Sequence, residues 1–89
     1  MIWQKTSDEK ILAGVNWLLD LDGATVAGTP VVSVIGDGSV TATLVESGDT
    51  LTKFWIEGGD FNVTQRVAVT ITTTEGETLQ AIGSVYILP

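Results

Sequence analysis

The chain has 89 residues, 44% of them apolar, and sets eleven Asp+Glu against four Lys+Arg for a formal net charge of −7. No cysteine and no histidine is present, which excludes disulfides, thiolate or imidazole ligation of a metal, and every nucleophilic triad. The acidic balance repels phosphate and argues against a nucleic-acid partner, and no apolar run is long enough for a membrane-spanning helix.

One domain, spanning 1–89, is expected at this length, and a domain so small hides only about 60–65% of the surface its unfolded chain would expose. Without disulfides or metals, its stability must come from apolar packing and from association with other chains. Residues 1–10 lack the basic-then-apolar order of a secretory signal, so a protein made and kept in a cytoplasm is expected.

Short β-branched runs separated by Gly and Asp dominate the chain and point to an all-β fold. A first strand is expected near Ile2 to Gln4, with 1–10 a candidate extended docking segment. Ile11, Ala13, Val15, Trp17 and Leu19 then alternate with other residues as one strand would. Leu12 and Leu18 blur that period and leave a turn or two of helix as the alternative. Asp22-Gly23 is a turn signal.

After Pro30, the near-continuous apolar run Val31 to Ile35 reads as a strand covered on both faces. Gly36-Asp37-Gly38 reads as the turn of a hairpin into a strand over Val40 to Val45. Ser47-Gly48-Asp49 is a further turn. In the strand that follows, Leu51 to Glu57, Phe54 and Ile56 share one face, and Lys53, Trp55 and Glu57 the other. The longest candidate is Phe61 to Thr74, with Phe61, Val63, Val67, Val69 and Ile71 on one face, interrupted by Gln65. Its other face carries Thr64, Arg66, Thr70, Thr72 and Thr74, with Ala68 among them. Glu75-Gly76-Glu77 turns into a last strand, Thr78 to Leu88. About seven antiparallel strands at this spacing make a single β-sandwich of the Ig-like or fibronectin-like kind.

Motifs that resemble chemistry have simpler readings. Asp20 and Asp22 are turn acids, more often solvated surface than a glycosidase pair. Asp20-Leu21-Asp22-Gly23 opens like a calcium loop but lacks the third acid and the closing Glu. Gly36-Asp37-Gly38-Ser39-Val40-Thr41 lacks the third glycine and following helix of a phosphate loop. No catalytic residue, cofactor or metal ligand is therefore assigned. Three tryptophans are more informative. Trp17, on the apolar face of its strand, is the candidate core anchor. Trp3, near a terminus, and Trp55, between Lys53 and Glu57, are candidate contacts with another chain, with packing inside the domain as the alternative.

With these elements placed, several fragments resemble a known family. Lys5-Thr6-Ser7-Asp8-Glu9, Asn16-Trp17 and Leu21-Asp22-Gly23-Ala24-Thr25-Val26 are similar to the front half of small fibre–tail adaptor proteins of tailed phages. Trp55-Ile56-Glu57-Gly58-Gly59, Val67, Ile71-Thr72-Thr73 and Gly76 are similar to the back half. The order and spacing of these fragments carry the resemblance, which runs from Lys5 to about Thr78. Ser7 stands where the family has Pro, Asn16 where it has Asp, and Asn62 and Gln65 where it has Gly and an aromatic residue.

The resemblance implies an Ig-like sandwich without enzymatic activity, located in the virion and assembled in the host bacterial cytoplasm. Its partners would be other phage virion proteins, in the tail, neck or fibre, and it would be present in multiple copies in a symmetric assembly. A capsid decoration protein bound to the major capsid protein is the alternative within the same class. A carbohydrate-binding module presenting Trp3 or Trp55 to a sugar is the alternative from another class.

Overall fold

A computed structural model describes residues 1–36, 38–61 and 63–89. Seven strands and one helical turn follow in order: β1 (Ile2–Thr6), β2 (Ile11–Asn16), α1 (Leu18–Leu21), β3 (Val26–Ile35), β4 (Thr41–Ser47), β5 (Leu51–Glu57), β6 (Gln65–Thr73) and β7 (Thr78–Leu88). They form a sandwich of a four-stranded sheet, β1-β7-β6-β3, and a three-stranded sheet, β2-β5-β4. All neighbouring pairs are antiparallel except β1 and β7, which run parallel. An all-antiparallel arrangement therefore needs correction at this one pair. β1 reaches its place beside β7 directly from the N-terminal end, so no crossover helix is required.

Period-2 alternation builds the core. Phe54 and Ile56 of β5 face Val67, Val69 and Ile71 of β6 and Val85 and Ile87 of β7, with Ala13 and Val15 of β2 closing one side. Trp17 is buried beside them, and its indole N–H donates to Thr52 Oγ1 at 3.2 Å. Both partners are out of water, so neither can replace the bond with solvent. Gln65, the polar interruption on β6, is also buried, and its Oε1 accepts the backbone N–H of Val40 at 3.0 Å.

β1 is held by two contacts. The Trp3 ring meets Phe54 edge-on, with centroids 5.6 Å apart, and lies so close over Gly83 that a Cβ there would sit 2.3 Å from its ring. Lys5 is buried, and its ammonium donates to the carbonyls of Thr6 and Gly58. Its stem thus crosses from one sheet to the end of β5 in the other. Gly58 and Gly59 take φ 72° and 111°, and a Cβ on them would collide with the Ser39 carbonyl and with the Ile87 side chain respectively.

Four expectations from periodicity are corrected. The alternation from Ile11 ends at Asn16, whose Oδ1 accepts the N–H of Leu18 and starts a helical turn. Leu18 and Leu19 consequently face solvent, and Leu21 turns inward. β3 starts at Val26, has a register shift between Ala27 and Val31, and is covered on one face only: Val31 and Ile35 are exposed. Gly36-Asp37-Gly38 joins no hairpin, because β3 pairs with β6 while β4 pairs with β5, so the segment crosses between sheets. Asp37 itself lies outside the described residues, as does Asn62. β6 begins at Gln65 and not at Phe61, which is exposed just after Asp60, whose carbonyl accepts the Val63 N–H.

Gly83→Ala should displace Trp3 and lower stability by about 1–3 kcal/mol, read by denaturant unfolding with tryptophan emission shifting to the red in the native state. An unchanged midpoint would contradict the packing of β1. At the turn after β1, Glu9 accepts the Thr6 backbone N–H at 2.6 Å, and that bond holds its carboxyl below the ordinary glutamate value. The contribution to folding is therefore present above the unfolded value and disappears as pH falls through the lower folded one. A carboxyl NMR titration should place Glu9 below the other glutamates, and a midpoint among them would contradict the bond.

Candidate docking face

The distribution of charge over the sandwich sets one surface apart. None of the eleven acidic residues falls within β1, β3, β6 or β7. They lie in loops, in α1 (Asp20) or on β4 and β5 of the other sheet. In consequence, the outer face of the four-stranded sheet carries no carboxylate among the described residues, although the chain as a whole is strongly acidic.

Strand register shows what this face presents. Val31, Ser33 and Ile35 of β3 stand beside Thr70, Ala68 and Arg66 of β6, which stand beside Gln80, Ile82 and Ser84 of β7. Ile2, Gln4 and Thr6 of β1 stand beside Ser84, Tyr86 and Leu88. Ile2, Val31, Ile35, Ile82, Tyr86 and Leu88 are all 42–66% exposed. Ala68, at the centre, is only 1% exposed because larger neighbours close over it. Arg66 is the one charged side chain of these strands' outward positions. The face thus combines β-branched and aromatic side chains with hydroxyls and amides on a stiff pleated support.

Its lower margin deepens into a cleft of about 410 Å³ lined by Gln4, Phe61, Val63, Tyr86, Leu88 and Pro89. Phe61, which alternation placed in the core, stands exposed beside it. The exposed apolar side chains are interleaved with hydroxyls, amides and Arg66 across the four strands, a mixture of the kind that protein–protein interfaces carry.

The opposite face, on the three-stranded sheet, is of the usual solvated kind. Lys10 lies 4.7 Å from the centre of the Trp55 ring and 3.6 Å from Glu57, and Lys53 lies 3.7 Å from Glu46. Trp55 is half-buried beneath Lys10, Trp3 is half-buried within the sandwich, and Trp17 is buried. The structure brings no two of the three tryptophans onto the acid-free face. The residues that do form it were not singled out from sequence. Lack of Asp and Glu could not have found them, because every predicted strand except Leu51 to Glu57 is free of acids; only the pairing of the strands assembles the face.

Asp20-Leu21-Asp22-Gly23 forms the helical turn and its left-handed end, with Asp22 at φ 48°. Among the described residues, no three acids gather as a metal site would require.

An all-β sandwich offering a large acid-free face has the build of a small docking domain. Residues 5–85 match the family model described as podophage GP4 fiber-tail adaptor protein gp77, and the chain belongs to that family. No curated protein matches it. The family places the chain among the structural proteins of phage virions.

Because the face is already exposed, its side chains contribute little to the fold. Ile82→Lys and Tyr86→Lys should each leave the unfolding midpoint within about 0.5 kcal/mol of the parent. A loss several times larger would mean that these side chains belong to the core.

Proposed function

We propose that the protein is a non-enzymatic adaptor that links fibres to the tail or neck of a podophage-type virion through protein–protein contacts, with the acid-free sheet face as its main docking surface. Residues 1–89 act as one docking unit. One observation carries the reading: all eleven acids are excluded from four strands whose outer positions expose Ile2, Val31, Ile35, Ile82, Tyr86 and Leu88 among hydroxyls and amides. Family membership supplies the setting. Burying such a face removes apolar area from water, worth roughly 25 cal/mol per Å² before the costs of association. It also does so without stranding a carboxylate in the contact, which would otherwise oppose binding.

The remaining features agree with this assignment. The absence of His and Cys leaves no imidazole base and no thiolate for covalent chemistry. The net charge of −7 disfavours nucleic acid and anionic lipid. We further propose that the chain is present in multiple copies in a symmetric assembly formed in the host cytoplasm. Trp55, half-exposed on the other sheet, is a lesser contact, and Trp3 positions β1 and so the edge of the face.

The test is capture of the tail and fibre proteins of the same virion by the purified chain. The parent should retain both. Ile82→Lys combined with Val31→Lys should weaken at least one of them by about 100-fold, as loss of central anchors does, with the fold intact by circular dichroism. Undiminished capture by the double variant would refute the assignment of the face.

A further inference from the structure

β7 is eleven residues long and β1 only five. β1 pairs with Ser84 to Leu88, and among the described residues no strand lies along the outer edge of Thr78 to Ile82. This half-open edge measures about 16 Å at the usual strand rise. The consequence is visible in the burial of a single strand. Val85 and Ile87, inward-facing beneath β1, are buried, whereas Leu79 and Ala81, also inward-facing, are only half-buried.

A cleft of about 420 Å³ occupies that place. Leu79, Gln80 and Ala81 line one wall, Gly14 and Val15 of the β2 edge line the other, and Met1 closes the end where β1 begins. The backbone is correctly turned for pairing. Ser84 N–H donates outward to Met1 O, and alternate residues of a strand point the same way, so the N–H and C=O groups of Thr78, Gln80 and Ile82 face the vacant edge. Unpaired edge groups of this kind are templates for another strand.

Charge defines the chemistry of the occupant. The cleft opens toward the end of the sandwich formed by segments 17–25, 48–50 and 74–77, tied together by Trp17 N–H on Thr50 O, Val26 N–H on Asp49 O and Thr74 N–H on Thr25 O. These segments carry Asp20, Asp22, Asp49, Glu75 and Glu77 and no Lys or Arg. We infer that the open half of β7 accepts an extended segment of a partner protein, which adds as a strand in line with β1, places apolar side chains between Leu79 and Val15, and carries basic residues where it passes the acidic loop end. This deepens the adaptor reading and rests on it. It gives the chain a second docking site, distinct from the sheet face, as a protein joining two others requires.

The experiment uses the full chain, isotope-labelled, and short overlapping peptides that tile the tail and fibre proteins of the same virion. Amide exchange at Gln80 and Ile82 is the readout. At least one peptide with alternating apolar residues and a basic end should slow both amides by about tenfold or more, with an effect that weakens as salt is raised. Gln80→Pro removes an outward N–H without touching the β6 ladder and is read at Ile82 alone, and Ala81→Leu fills the cleft and is read at both amides; each should abolish the protection so read while Leu79 and Val69 amides stay protected. Three results would overturn the inference: no peptide protects Gln80 and Ile82, protection survives both variants, or protection rises with the chain's own concentration, which makes a second copy the occupant. If intact tail and fibre proteins are captured while Gln80 and Ile82 exchange freely, only the strand-acceptor site fails. If neither protein is captured, the adaptor reading fails with it.

Discussion

The short parallel strand β1 is the constraint on which the rest of the molecular surface depends. Trp3 lies over Gly83 and against Phe54, and Lys5 reaches the Gly58 carbonyl across the sandwich. These contacts fix β1 at one register along β7, from Ile2 beside Ser84 to Thr6 beside Leu88. That register widens the acid-free sheet face by one strand and brings Ile2 and Gln4 onto it. In the same register β1 covers Ser84 to Leu88, and among the described residues no strand lies beside Thr78 to Ile82. One anchoring arrangement therefore shapes both surfaces assigned to binding.

The placement of charge complements this geometry. A chain with a net charge of −7 stays soluble and resists random association. Exclusion of its acids from four strands then concentrates apolar contact on one face, while the acids collect at the loop ends and on the three-stranded sheet. Lys10, Lys53, Glu46 and Glu57 make the latter face a typical solvated one, with exposed ion pairs of small energetic value. Two sides of one thin sandwich thus have opposite characters, and their difference resides in side-chain type and not in backbone form.

Much of the fold was legible in the sequence because alternation is strong where one sheet face meets the core. Leu51 to Glu57 and Thr78 to Leu88 were placed with their bounds, and the family resemblance was carried by turn and strand fragments that the family model matches over residues 5–85. The misreadings have local causes. Asn16 captures the Leu18 N–H and ends a strand whose apolar period continues to Leu19. Val31 to Ile35 looks like a run buried on both sides because its exposed half is apolar for a reason other than the core. Gly36-Asp37-Gly38 has turn chemistry, but strand pairing is non-local, and no turn signal reveals that β3 and β4 belong to different sheets. The docking face was illegible for a related reason: its residues come together only through the register of four strands.

The central claim is that the outer face of the four-stranded sheet is the surface buried in the virion. A density map of the assembled tail with this chain in place tests it most directly. The account predicts Ile82, Tyr86 and Val31 in contact with a neighbouring protein, and the three-stranded face largely turned to solvent, with no more than a minor contact at Trp55. A map in which the four-stranded face is open to solvent and the Trp55 face is buried would contradict it.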